Sequence, residues 1–427
     1  MRIPAFLRSR WGWLGYGLVL GVVLMLVVDN LVAPAAGGGD VEAGELVILS
    51  GKDQSPTGER KKLIDQWNGL HPENPAEIVE LPDVADAQHS EMVARAQAGG
   101  GDVDIYNLDL TWTAEFAEAK YILPLTGVDT EGFLEKPLAS CRYEGELWAL
   151  PFNSDAGLLF YRDDLIPDPP STVDKMTVQA AGVVDAKTDP DLVAAYTGQL
   201  DDYEGLTVNA EEAIWAAGGD VLEGDEVVVD SEEARKGLAW LATGLHREAP
   251  AIILAESTSF DETRSTQAFR EGKVLFMRNW PVAHRSLEKT APAAEGKPAI
   301  SFKVKELPGP SALGGQNLAI SAKSAEPRAA RKLIDFLTSP RSQQLLFERG
   351  GFAATRAIVY QDPQIDAKYK YAAPLRKAIE SARLRPITPH YARFSAVFRE
   401  GVKYALDHDG KLPKDFKDKL AKALQGH

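Results

Sequence analysis

From Glu45 onward the chain alternates short apolar runs with longer amphipathic ones, and this alternation restricts the fold more than any other feature. ELVILS (Glu45–Ser50) reads as a strand, followed by the polar loop 51–58 and a helix with Leu63, Ile64, Trp67 and Leu70 on one face. EIVEL (Glu77–Leu81) is the next strand, Asp86–Gln97 the next helix, and VDIYNLD (Val103–Asp109) a third strand after the glycine run 99–101. Repeats of strand, loop and helix predict an α/β fold built on a parallel sheet with helices on its faces, where ligands collect beyond the carboxyl ends of the strands. With 427 residues, 44% of them hydrophobic, the chain can fill two or three domain cores.

GELWALPFNSDAGLLFYRDDL (Gly145–Leu165) holds two apolar segments around the polar residues 153–157, a pattern of strand, turn and strand. Asp155 falls in that turn, where it either bonds its own backbone or meets a ligand. Asp109, at a strand end between Leu108 and Leu110, must find partners or stay wet. It either binds ligand hydroxyls or caps the helix that begins near Thr111–Thr113. Trp112 beside it lies in the core or at the cleft. Further along, Ser231 with Glu232 and Glu233 caps an amphipathic helix, and Ser265–Glu271 forms another before the strand VLFM at Val274. Trp280 follows that strand and precedes Pro281, which puts it in a turn, either as a flat apolar platform for a ligand or packed against a hinge.

These segments carry a resemblance. DIYNLDLTWTAEFAEAKYILPL (Asp104–Leu125), the stretch Gly145–Leu165, RNWP (Arg278–Pro281), ALGGQNLAIS (Ala312–Ser321) and RPITPHY (Arg385–Tyr391), in this order, resemble the extracellular solute-binding proteins of ATP-driven (ABC) sugar importers, in particular their trehalose/maltose-binding branch. The resemblance spans Glu45 to the C-terminus. It implies a hinged, two-lobed periplasmic-binding-protein-like fold of class II, with a first lobe of residues 45–156 plus 317–362 and a second of 157–316 plus 363–427. The implied function is capture of a mono- or small oligosaccharide between the lobes and its delivery to importer permease subunits, by a protein expected to be a monomer without cofactor. Asp109, Asp155, Trp280, Gly315, Gln316 and Arg385 are the ligand-binding residues the resemblance suggests, with Trp112 and Ser55 beside them.

The chain departs from the family at two of these places. Pro56 stands where a polar side chain binds a sugar hydroxyl, leaving Ser55 as the nearby candidate. Gln316 stands where the branch has a second stacking tryptophan, so a ligand smaller or more polar than a maltodextrin is expected. Arg385 either holds two hydroxyls or a carboxylate with its fork of donors, or pairs with one of the chain's many acids.

At the N-terminus, Arg2, Arg8 and Arg10 precede Trp11–Val28, 18 residues without charge that would extend about 27 Å as a helix. Residues 1–36 therefore read as a signal or transmembrane segment, oriented with the N-terminus inside, and 37–44 as a flexible spacer. An uncleaved anchor on the extracellular face of the membrane is expected; cleavage after Ala35 would release the protein instead. Related proteins of Gram-positive bacteria are usually tethered through a lipidated cysteine after the signal, and here the only cysteine is Cys141.

The net charge of −15, or −17 without residues 1–36, argues against nucleic acid or anionic lipid as partner. Gly51-Lys52 lacks the remaining P-loop residues, no hydrolase or zincin motif is present, and the seven histidines lack ligand spacing, so neither enzyme nor metal site is expected. A tethered sugar sensor and, less favoured, an exported carbohydrate-active enzyme with Asp109 and Asp155 as its acid/base pair remain as alternatives.

Overall fold

The computed structural model describes residues 41–427 apart from 56, 83, 100, 187–188, 248–250 and 290–298. The apolar run Trp11–Val28, most of the spacer and Pro56 lie outside the described residues. Among those described, no helix is long and apolar enough to cross a membrane.

Nine strands build two sheets: β1 (Leu46–Gly51), β2 (Ala76–Leu81), β3 (Ile105–Asp109), β4 (Leu150–Ala156), β5 (Leu158–Tyr161), β6 (Ala194–Thr197), β7 (Val274–Asn279), β8 (Lys303–Glu306) and β9 (Leu313–Ile320). The first sheet has the order β2-β1-β3-β9-β4 and the second β8-β5-β7-β6. Within the first, β1, β2 and β3 are parallel as the alternation predicts, but β9 runs antiparallel to both β3 and β4. The sheet is mixed because β9 arrives from the other sheet, not through a helix that would return it to the same end. β9 begins at Leu313, four residues before the return to the first lobe expected at Asn317.

The stretch Gly145–Leu165 is not a hairpin. Residues 153–156, expected to turn, are the end of β4, and only Gly157 separates β4 from β5. Two strands make a hairpin by pairing with each other; here β4 pairs with β9 while β5 pairs with β7 and β8. The chain thus passes from one sheet to the other across a single residue.

Apolar periodicity places the helices well. In the helix Glu59–Leu70, Leu63, Ile64 and Trp67 are buried, whereas Leu70 at its last turn is 66% exposed. Ser231 caps Glu232–His246 by accepting from Ala234 N, and Trp215 lies in the core of the second sheet. That core joins helices Glu204–Ala216, Glu232–His246 and Tyr391–Leu406, with Leu238, Leu241, Phe394 and Phe398 fully covered.

Gly315 shows why β9 needs its glycines. Its φ is +121°, and a Cβ there would stand 2.2 Å from the carbonyl oxygen of Asn153 on β4. Backbone cannot retreat as a side chain can, so Gly315→Ala is expected to cost about 2–3 kcal/mol or more in urea unfolding. Unchanged stability would mean that β9 and β4 are not held at this separation.

Candidate functional site

The carboxyl end of β4 and the segments beside it bring most of the expected residues together. Asp155 pairs in register with Gly314 on β9, and Gln316 lies between Asp109 of β3 and Asn153 of β4. Trp280, just beyond β7 of the second sheet, reaches the same place: a Cβ on Gly314 would be 3.1 Å from the Trp280 ring and 3.2 Å from Asp155 Cβ. A tryptophan from one sheet and an aspartate from the other therefore meet over a glycine that leaves them room.

Trp280 is half-buried and held on several sides. Its Nε1 donates to Glu262 at 3.1 Å, its backbone N to Asn279 Oδ1 at 2.8 Å, and the Arg278 guanidinium lies 3.8 Å from the ring centroid. A positive charge over an indole face is favourable and fixes the ring plane. Arg278 in turn makes a fully buried two-pronged pair with Glu212, 2.8 Å on each prong.

Asp155 receives one hydrogen bond, from Asn153 Nδ2 at 3.3 Å, and forms no ion pair among the described residues. Burial pushes its carboxyl up to about 7, the Asp109 charge adds to this, and Arg60, Asn153 and Arg278 pull the other way. Asp109 caps the turn that follows β3: Oδ1 accepts from Thr111 N at 3.0 Å and from Thr111 Oγ1 at 2.7 Å. The same oxygen lies 3.4 Å from Arg385 Nη2, so all three contacts fall on Oδ1.

Arg385 is buried and bound to acids on both sides. Besides Asp109, its Nη1 donates to Glu204 at 2.5 Å, and the Tyr391 hydroxyl and Leu313 carbonyl lie at 3.4 Å. Of the two roles open to it from sequence, pairing with acids is the one present. Arg399 forms a similar link, 3.0 Å from Asp86 and 3.3 Å from Asp202. Trp112 is 6% exposed and tilts against His89, while Ser55 Oγ accepts from Glu59 N at 2.8 Å at the start of a helix. Neither contacts Asp155 or Trp280 among the hydrogen bonds and ring contacts of the described residues.

Several residues of the site were not singled out from sequence. Arg60 donates to Asn153 and Gln316, and periodicity could have found it, since residues 60, 63, 64 and 67 share the buried helix face. Glu211 and Glu212 sit inside the apolar helix run TVNAEEAIWA, where any acid must be paired or protonated. Glu212 is paired with Arg278; Glu211 has both carboxyl oxygens buried without a hydrogen-bond partner among the described residues, and burial raises its pKa well above the usual range.

A family model of the bacterial extracellular solute-binding proteins matches residues 76–373, well over half of the chain. The chain belongs to that family. A probable ABC transporter-binding protein of Deinococcus radiodurans is 27% identical over 353 residues, covering 79% of this chain and 82% of the relative. The maltotriose-binding protein of Pyrococcus abyssi is 24% identical over 418 residues, 90% of this chain and 83% of the relative. Among solved structures, the maltose-bound MalE3 of T. maritima is 29% identical with a TM-score of 0.79, covering 90% of this chain and 99% of that one. The GacH receptor of Streptomyces glaucescens, at 21% identity and a TM-score of 0.75 over 90% of this chain and 99% of its own, shares the two-lobed fold. Membership makes this chain an extracellular solute-binding protein of the two-lobed α/β type, and its family consists of binding proteins.

Proposed function

We propose that this solute-binding protein captures a neutral mono- or small oligosaccharide between two hinged lobes and hands it to the permease subunits of an ABC importer. The observation that carries this reading is the meeting of Trp280 with Asp155 and Gly314, because each sheet contributes part of one polar cleft with a flat apolar wall. The lobes are residues 45–156 with 313–362 and 157–312 with 363–427, the return strand starting at Leu313 and not at Asn317. Closure of a class II receptor completes such a site, and Arg385 and Arg399 fasten the two sides to each other.

In the cleft, Asp155 accepts ligand hydroxyls, Trp280 covers a ring face, and Gln316 offers an amide where a second tryptophan would have lengthened the platform. Gly314 and Gly315 keep β9 close to the ligand. Asp109 and Arg385 act as a pair, Asp109 keeping Oδ2 for a hydroxyl. The protein works as a monomer, held at the extracellular face of the membrane by residues 1–36 and freed if cleaved after Ala35.

A thermal-shift screen of monosaccharides, disaccharides and polyols tests the reading, since a ligand at about 100 times its dissociation constant adds about 2.7 kcal/mol. Trp280→Ala is expected to weaken binding of the best sugar about 30-fold without unfolding the protein, matching the roughly 2 kcal/mol typical of a truncated aromatic anchor. If no sugar shifts the melting curve and a non-carbohydrate solute does, the fold stands and the choice of ligand is wrong.

A further inference from the structure

Arg60 is a buried charge, 6% exposed, that forms no ion pair among the described residues. Its Nη1 donates to Ser50 Oγ at 3.3 Å and Gly51 O at 3.4 Å; its Nη2 donates to Asn153 Oδ1 and Gln316 Oε1, both at 3.2 Å. Every acceptor is neutral. The guanidinium also lies 4.6 Å from the Phe352 ring centroid and 5.5 Å from that of Phe152, so it is clamped between two rings as well as bonded.

A guanidinium has donors and no acceptor. Both carboxamides must therefore turn their oxygens to Arg60 and their NH2 groups away from it. For Asn153 the consequence is on hand, since Nδ2 donates to Asp155 Oδ2 at 3.3 Å. Gln316, half-buried between Asp109 and Asn153, is left with Nε2 on the side away from Arg60.

We propose that Arg60 is a positioning residue of the binding cleft, which holds the oxygens of Asn153 and Gln316 so that the Asn153 amide donor, not its oxygen, stands beside the Asp155 carboxylate and the Gln316 amide donor is turned away from Arg60. The proposal rests on the cleft reading given above and sharpens its ligand class. A free hydroxyl can donate to Asp155 and accept from an amide at once; an O-methyl group can only accept and an ammonium can only donate. The preferred ligand thus carries an unsubstituted hydroxyl at this point. Arg60 also offsets the charge of Asp155, which faces Arg60 from the helix Glu59–Leu70, Asp109 from β3, Arg278 from β7 and Tyr360 from the helix Ala357–Gln361. With Arg60 gone, Asp109 opposes ionisation of Asp155 with one cation fewer against it.

The test is an NMR titration of the ligand-free protein, following the Asp155 carboxyl carbon and the side-chain amides of Asn153 and Gln316 in wild type, Arg60→Gln and Arg60→Lys. Arg60→Gln should move the Asp155 midpoint up by about one pH unit, the size expected from losing a nearby opposite charge. Arg60→Lys keeps the charge, so the midpoint should stay near that of wild type, but the single ammonium cannot hold four acceptors and the two amide signals should shift. Both midpoint and amide signals unchanged in Arg60→Gln would overturn the proposal. If Arg60→Gln does not fold, unchanged amide signals in Arg60→Lys overturn it. Calorimetry of maltose with wild type at pH 5.5 and 8.5 separates the two readings: an affinity that ignores Asp155 titration refutes the cleft while the NMR result still decides the role of Arg60.

Discussion

Asp155→Asn is expected to stabilise the ligand-free protein at pH 8 and to weaken sugar binding at the same time. The Asp155 carboxyl titrates at about 7 in the folded chain against an ordinary value of 3.8, chiefly because it is buried. A carboxyl raised in this way contributes stability below its unfolded value and loses it as pH climbs through the folded one. At pH 8 the loss is complete, and a difference of about three pH units corresponds to about 4 kcal/mol at most. An asparagine of the same shape carries no charge to bury, so urea unfolding at pH 8 should show a gain of about 2–4 kcal/mol that shrinks towards pH 4. Binding moves the other way: a carboxylate accepting two hydroxyls contributes roughly 1.5–3 kcal/mol, so affinity should fall by about one to two decades. For the same reason the wild type should bind its sugar less well below pH 7, as Asp155 takes up its proton. No gain in stability at pH 8 would mean that the site already neutralises this charge without a ligand.

Glu212→Ala, on the helix Glu204–Ala216 that packs on the second sheet, is expected to be strongly destabilising. Glu212 is 7% exposed and Arg278 1%, and their two 2.8 Å bonds leave neither charge with solvent. Glu212 Oε1 also accepts from Ala312 N at 3.0 Å, next to the start of β9, and it lies against Gly157, where an added Cβ would come within 2.5 Å of it. Two places where the chain passes between the sheets thus rest on one carboxylate. Removing it strands the Arg278 guanidinium under the Trp280 ring, and breaking a buried pair commonly costs about 3–5 kcal/mol. Glu212→Ala should lower the urea midpoint accordingly and reduce sugar affinity, since the Arg278 guanidinium beside the Trp280 ring is no longer held by a carboxylate. Full stability in this variant would show that water reaches Arg278 from the side of Val173 and Trp240, where a cavity of about 40 Å³ adjoins Glu212.

Local sequence was enough where burial follows a single period. The helix faces at Leu63–Trp67 and Leu238–Leu241 and the cap at Ser231 need no knowledge of distant partners. Placement of Trp280 in a turn after a strand also follows from local order. The segment 153–157 shows the limit: Asn, Ser, Asp and Gly favour a turn, but the partners of β4 and β5 lie more than 100 residues away, and ladder bonds with them outweigh local preference. The direction of β9 depends in the same way on where the chain comes from. Roles of Asp109 and Arg385 stayed open from sequence because both alternatives use the same donors and acceptors; the structure shows the cap and the acid pairing. Arg60 is hard to read from sequence because arginines are normally solvated, and only its place on the buried helix face marks it.

Asp155 and Trp280, one from each sheet, are expected to hold the same sugar. Isothermal titration of the best sugar from the thermal screen into wild type, Asp155→Asn, Trp280→Ala and the double variant tests it most directly. Losses of about tenfold or more in each single variant, with a non-additive loss in the double because both residues touch one ring, are the predicted result. Undiminished affinity in both folded single variants would place the ligand elsewhere on the protein.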